Sequence, residues 1–308
     1  MVKIALPGTF QRRVMDCWGL AGTRWLADFP EIANQVLRDW DLRLDRTYPL
    51  SLNWVTRVHR ADGSAAVLKM GVPESEHLTH EVAALEFFGG RGAVTVLARD
   101  AARGAVLLEE ATPGVQARSL VPDRDETATA TLIDVMHRLH RPAPPGIALP
   151  ELAARRASFD EHLLRFPADD PLPRHLVELA GRLLTELCAT ASERVVLHGD
   201  LHHDNVLTAG REPWLVIDPH GVVGDPGYEI GAMLYNPDPM DDDDTVLELV
   251  PARIEQLADG LRMPVERVVS WGFVQAVLAE VWNAGGDSTG TRTGRPLRLA
   301  HLLLRRLP

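Results

Sequence analysis

Residues 195–207 read VVLHGDLHHDNVL, and residues 214–221 follow as WLVIDPHG. Both stretches set charged and hydrogen-bonding residues between short apolar, β-branched runs, so the polar residues fall on turns beside strands. Such turns display reacting groups on a rigid frame. Their spacing narrows the chemistry. Asp200 stands five residues before Asn205, and Asp218 lies thirteen further on, directly after an apolar run. A carboxylate in the first place can orient a hydroxyl and accept its proton, while an amide oxygen and a second carboxylate are hard donors of the kind Mg²⁺ takes.

The rest of the chain supplies a frame for this loop. Residues 10–45 place Trp18, Leu20, Trp25, Leu26, Phe29, Ile32, Val36, Leu37 and Trp40 at near-helical intervals, which predicts amphipathic helices around Pro30. In LNWVTRVHRADGSAAVLKMGVP two β-rich runs flank the turn Ala61-Asp62-Gly63-Ser64, and the resulting hairpin puts Lys69 near the end of its second strand. A helix follows, with Pro73 at its start and Gly89-Gly90 at its end. That segment carries Glu74, Glu76, Glu81 and Glu86 after the strand lysine, any of which could face it. AVTVLARDAARGAVLLEEATPG reads as a second hairpin turning near Asp100 to Gly104, and Pro113-Gly114 ends it. Beyond this break the pattern is mostly helical: a helix ending before Pro142, a Pro-rich connector, then helices over 151–166, 175–192 and most of 225–308. The division predicts a lobe of residues 1–112 and another of 113–308. Residues 240–244 (MDDDD) and 285–296 read as exposed loops, and no internal repeat is visible.

Composition excludes several classes. With 32 Lys and Arg against 43 Asp and Glu the formal net charge is -11, which repels nucleic acid and anionic membranes and attracts cationic molecules. Cys17 and Cys188 are far apart, so neither a disulfide framework nor a cysteine metal site is expected, in keeping with a reducing cytoplasm. No signal-peptide core opens the chain, and no run approaches the ~18 apolar residues of a membrane span. The expectation is a cytoplasmic protein, monomeric or weakly dimeric.

HGDLHHDNVL together with VIDPHGVVGDPGYEIGAML resembles the aminoglycoside phosphotransferases, relatives of the eukaryotic-type protein kinases, and within them the streptomycin 6-phosphotransferase and hydroxyurea phosphotransferase branch. AAVLKM resembles the nucleotide-lysine strand and LLEEATPG the hinge between lobes, so the likeness spans most of the chain. It implies an α+β, two-lobed protein-kinase-like fold, with an antiparallel sheet in the small lobe and a large, mainly helical lobe. It also implies ATP and Mg²⁺ as cofactors. Carried over by position, Asp200 is the catalytic base, Asn205 and Asp218 are the magnesium ligands, and Lys69 is the phosphate contact held by Glu81. Glu109, Glu110 and Ala111 would offer backbone groups to adenine. Two departures stand out. YPLSLNWV contains no glycine where kinases have a glycine-rich phosphate loop, leaving Ser51 and Asn53 as small polar residues there, and Asp218-Pro219-His220-Gly221 replaces the kinase Asp-Phe-Gly.

The implied acceptor is a small cationic, hydroxylated molecule such as an aminoglycoside, with streptomycin leading and hydroxyurea or another hydroxylated metabolite as alternatives. Carboxylates such as Glu229, Asp238 and Glu280 could engage guanidinium groups, with Trp282 and His202 as further contacts. His198 reads as a structural histidine bonded to the loop backbone, Asp225 as the cap of the following helix, and Asp241 to Asp244 as a solvated loop or a funnel for a polycation. A metallophosphoesterase gathering His198, His202, Asp204 and His220 is a competing reading, as is a nucleotide-binding protein without turnover. The phosphoesterase leaves Lys69 and Glu81 without a role.

Overall fold

The computed structural model describes residues 4–73, 75–237, 245–285 and 294–308. The chain folds as two compact units, one of residues 1–90 and 94–111, the other of residues 91–93 and 112–308. Among the described residues no helix is long and apolar enough to cross a membrane.

The first unit opens with α1 (Gly8–Asp39), which is two helices in sequence rather than one rod. The break falls at Gly19, in the left-handed region at φ 52°, and not at Pro30, which lies inside the second arm. Gly22 lets the arms meet, since a Cβ there would lie 2.5 Å from the Val14 carbonyl oxygen. Phe10 stacks edge-on to Trp25 across the bend. A five-stranded antiparallel sheet follows, in the order β1 (Arg43–Thr47), β2 (Trp54–His59), β3 (Ala65–Met70), β5 (Ala105–Glu109) and β4 (Val96–Asp100). Trp54, Val58, Ala66, Leu68 and Met70 bury one face in a core shared with Trp25, Phe29 and Val36 of α1. The alternation of the strands sends their other side chains, Lys69 included, to the opposite face. Between β3 and β4 lies α2 (Glu76–Phe88), closed by Gly89 in the left-handed conformation that glycine adopts without steric cost.

The second unit is mainly helical. After β6 (Pro113–Gln116) come α3 (Asp125–Leu139), α4 (Arg156–Arg165) and α5 (Arg174–Ala189), then four short strands: β7 (Val195–Leu197), β8 (Val206–Ala209), β9 (Trp214–Val216) and β10 (Val222–Gly224). The last part holds α6 (Ile230–Tyr235), α7 (Thr245–Gly260), α8 (Val265–Gly285) and α9 (Arg295–Leu304). Helix α8 is apolar nearly all round and buried from Val268 to Leu278, as a helix at the centre of a core must be. Gly231 and Gly272 allow the tight packing: a Cβ on either would enter Gln275 or Leu234. Two small ladders carry the polar loops, β7 with β10 and β8 with both β6 and β9.

Candidate active site

The loop after β7 begins at His198, which is fully buried. Its Nε2 lies 2.9 Å from the Ile217 carbonyl oxygen, and its Nδ1 accepts the Asp200 N–H at 3.2 Å. A ring that accepts at Nδ1 and faces a carbonyl at Nε2 is neutral, with its proton on Nε2. Burial agrees, pushing its pKa below the ordinary imidazole value. His198 therefore ties the loop to the strand end that bears Asp218. With both nitrogens committed it cannot be a metal ligand, and among the described residues no group of three or more His, Cys, Asp or Glu is arranged to hold a metal.

Gly199 takes a φ of 85°, which only glycine adopts freely, and its N–H donates to both carboxylate oxygens of Glu229 at 3.2 Å. Glu229 is fully buried, with the His140 ring 3.8 Å away. This corrects the expectation that Glu229 meets a substrate: its carboxylate holds the main chain beside Asp200. It is placed by the turn Pro226–Glu229, which Asp225 caps by accepting the Gly227 N–H at 2.7 Å while pairing with Arg267.

Asp200 is partly exposed and faces three histidines. His202 Nε2 lies 3.5 Å and His220 Nε2 3.8 Å from its Oδ2, and His198 is its neighbour. Desolvation raises its pKa, but the charge of His202 beside it, with its hydrogen bond, outweighs this and holds the group well below the ordinary carboxylate range. His202 shows the reciprocal effect. Burial opposes its charge, yet Asp200 and Asp204 on either side push its pKa up to about 10. Asp204 in turn meets Arg118 at 2.8 Å, while Gln116 donates to the Asp204 carbonyl at 2.9 Å. His202 thus lies between two carboxylates, those of Asp200 and Asp204. His203 is fully buried and held neutral by desolvation.

Asn205 and Asp218 come together through the main chain, because the Ile217 N–H donates to the Asn205 carbonyl at 3.0 Å. Asn205 Nδ2 donates to the Asp200 carbonyl at 3.0 Å and lies 3.2 Å from His202 Nε2. With the amide nitrogen turned inward, Oδ1 is the atom able to take a cation. Asp218 is exposed and holds a φ of 61°, strained for a residue with a Cβ and of the kind that collects at functional sites. An amide oxygen and a carboxylate are hard donors and fit Mg²⁺.

In the first unit, Lys69 Nζ lies 2.6 Å from Glu81 Oε2, and both side chains are buried. Glu86 pairs with Arg99 instead, and Glu74 lies outside the described residues. Ser51 is exposed, and the Asn53 side chain lies over the Gly71 backbone, where a Cβ would meet its Oδ1 at 2.2 Å. Glu109 accepts the Thr95 N–H at 3.0 Å and its hydroxyl at 2.6 Å; Glu110 accepts from Tyr48 and Arg57. These carboxylates serve their own unit, so what residues 109–111 can offer a base is main chain.

With this geometry in place, comparison with known proteins is decisive. The model of the aminoglycoside/hydroxyurea antibiotic resistance kinase family matches residues 50–286. The chain belongs to this kinase family. Its relatives include a streptomycin 6-kinase of Streptomyces griseus, 33% identical over 271 residues that cover 86% of each chain. A hydroxyurea phosphotransferase of Kitasatospora aureofaciens is 33% identical over 76% of this chain and 68% of its own length. Among solved structures, choline kinase LicA from Streptococcus pneumoniae superposes with a TM-score of 0.62 at 12% identity, covering 90% of this chain and 98% of its own. That likeness shows the protein-kinase-like fold.

In this aminoglycoside/hydroxyurea kinase, the expected substrate contacts on α8 have partners within their own unit. Glu280 is buried and its carboxylate is engaged, Oε1 by the Leu297 N–H at the start of α9 and Oε2 by Asn283. Trp282 has the Arg155 guanidinium 5.2 Å from its ring centroid and its indole nitrogen 3.4 Å from Ser158 Oγ. Both side chains are spent inside the unit. Asp238 and Asp241 to Asp244 lie outside the described residues. Sequence reasoning missed the loop-holding roles of Glu229, Asp204 and Arg118. The only advance signal was the Asp-Pro-Gly turn before Glu229, which marks a fixed geometry without naming its target.

Proposed function

We propose that this chain transfers the γ-phosphoryl group of ATP to a hydroxyl of a small cationic molecule, with streptomycin and its 6-hydroxyl the leading acceptor. The observation that carries the reading is Asp200: a partly exposed carboxylate, ionised at every physiological pH, whose carbonyl accepts the Asn205 side-chain amide while the Asn205 carbonyl accepts the N–H of Ile217, the neighbour of Asp218. A carboxylate of such low basicity is a poor proton acceptor in the ground state. Its role is to orient the attacking hydroxyl and take the proton late, once the bond to phosphorus has formed, as suits the loose transition states of phosphoryl transfer. The proton passes from the acceptor hydroxyl to Asp200, the oxygen joins the γ-phosphorus, and ADP leaves. Mg²⁺ on Asn205 Oδ1 and Asp218 would neutralise the phosphate charge. Lys69, kept in place by Glu81, would contact the phosphates, with Ser51 and Asn53 as the polar residues of the covering segment and residues 109–111 offering main chain to adenine. In this reading residues 1–112 serve the nucleotide, and residues 113–308 supply catalysis and the acceptor site. The streptomycin 6-kinases among the relatives support the acceptor, and the net charge of -11 favours a cation.

The test is ADP release from ATP and Mg²⁺ with streptomycin, other aminoglycosides, hydroxyurea and simple polyols, beside Asp200→Asn. Streptomycin-dependent release that vanishes in the variant is the expected result. Release with hydroxyurea alone would move the acceptor within the family, and ATP binding without release for any acceptor would contradict the reading.

A further inference from the structure

The two imidazoles beside Asp200 reach the same carboxylate oxygen. His202 Nε2 lies 3.5 Å and His220 Nε2 3.8 Å from Oδ2, while Oδ1 accepts no hydrogen bond among the described residues. The torsion that turns a carboxylate about its Cβ–Cγ bond is broad and nearly two-fold, so a partly exposed aspartate left to itself presents either oxygen in many planes. Contacts to one oxygen remove that freedom. The rings are themselves held, by different means. The Asp204 N–H donates to His202 Nδ1 at 3.3 Å, which leaves the ring proton on Nε2, toward Asp200. Asn205 Nδ2 is 3.2 Å from that nitrogen, but an amide nitrogen accepts no hydrogen bond, so the carboxylate is the acceptor. Behind the ring, the Asp204 carboxylate meets Arg118 at 2.8 Å and its carbonyl accepts Gln116 Nε2 at 2.9 Å. The Arg118 N–H donates to the His203 carbonyl at 3.2 Å, so residues 116–118 brace the loop that carries His202. His220 is the more open ring, with 34% of its side chain exposed against 16% for His202. Its place is set by the Gly221 N–H, donated to the His198 carbonyl at 3.0 Å, and by Gly199, where a Cβ would stand 3.2 Å from the His220 Cβ. A side chain at 199 would crowd that ring.

We propose that Asp200 reacts through Oδ1, and that His202 and His220 are positioning residues that hold Oδ2. This rests on the phosphotransfer reading above. The acceptor oxygen bonds to the γ-phosphorus, its proton passes to Oδ1, and ADP departs with the electron pair of the broken phosphorus–oxygen bond. An oxygen that already faces two imidazoles is the poorer proton acceptor of the two. Neither ring needs to touch the acceptor, so their effect falls on turnover and not on binding.

The experiment compares Asn and Gln at each position in the full chain, by steady-state kinetics with streptomycin or whichever acceptor the panel reveals, and by thermal midpoint. Gln carries its amide nitrogen as far from Cβ as Nε2, whereas Asn reaches only to the depth of Nδ1. His202→Asn should lower kcat about tenfold and His220→Asn about threefold, with KM for ATP and for the acceptor unchanged, because a carboxylate turned out of plane is a misplaced reacting group. The Gln variants should keep kcat within about twofold of wild type. The double Asn variant should lose more than the product of the single losses, since either ring alone still restricts the carboxylate. Arg118→Gln, which touches only the brace, should lower kcat about threefold and have no further effect once residue 202 is changed to Asn. Should His202→Asn lower the midpoint, His220→Asn and Arg118→Gln carry the comparison. An unchanged kcat in the Asn variants, Gln no better than Asn, or an acceptor KM that rises as kcat falls overturns the inference, while acceptor-dependent release lost in Asp200→Asn keeps the phosphotransfer reading standing. A wild-type chain that phosphorylates no acceptor sinks both.

Discussion

Lys69 and Asp200, the two charges to which the proposed function assigns the chemistry, are held by opposite means. Lys69 and Glu81 form a buried pair in the first unit, each under a tenth exposed, where the strength of the contact depends on exclusion of water. Asp200 in the second unit is open to solvent over about a third of its side chain and shares its charge among histidines, with its main chain pinned separately through His198, Asn205 and Glu229. A buried pair couples function to stability, since either member left alone is a desolvated charge. A carboxylate positioned through its backbone can lose its own charge and leave the loop standing.

That contrast can be broken most sharply at Asp200. Asp200→Asn should lower acceptor-dependent ADP release ~10³-fold with little change in the thermal midpoint; a large drop in midpoint would mean that the carboxylate is structural. Glu81→Leu should do the reverse first, destabilising the protein by ~3–5 kcal/mol by stranding Lys69. Adding Lys69→Met to make an apolar pair should restore the midpoint without restoring ATP affinity, as denaturant unfolding and nucleotide titration would reveal. Glu229→Ala frees the Gly199 N–H and should lower kcat ~10-fold, a cost of about 1–3 kcal/mol for a buried donor left unmade, with KM for ATP nearly constant. An equal change in KM would place the effect elsewhere.

The smallest effect concerns pH. His202 has a folded pKa raised to about 10, so its stabilisation is fully present below the unfolded value near 6.5 and is lost as pH rises through about 10. Unfolding free energy should therefore decline across that window, and His202→Gln should flatten the decline. A slope unchanged by the substitution would show that His202 is not held charged by Asp200 and Asp204.

Much of this was legible in the residues. The β2–β3 hairpin and α2 with its glycine stop follow from turn chemistry and period, which are local properties, whereas the pairing of Lys69 with Glu81 came only from the family resemblance. Strands β1, β6 and β10 were not legible. RLDRT is a largely exposed edge strand with no apolar alternation, and PGVQ and VVG are too short to show a period. The helices expected around Pro30 are present, but their period did not show the break at Gly19: proline removes one donor from a helix, whereas a left-handed residue turns the chain. The partners of the expected acceptor contacts were hidden for a related reason. Glu229, Glu280 and Trp282 look available as letters and are occupied as side chains, two of them by backbone N–H groups brought from 30 and 17 residues away.

Residue types at fixed intervals were enough to name the family and its kinase fold, because the spacing of Asp200, Asn205 and Asp218 and the strands around them are visible without tertiary contacts. Tertiary structure alone decided which carboxylates are free. Whether Glu229 clamps Gly199 or meets an acceptor, whether His202 is charged, and whether Glu110 faces solvent or anchors Tyr48 depend on neighbours distant in the chain. Burial and hydrogen-bond satisfaction are properties of the packed chain, and no local pattern encodes them.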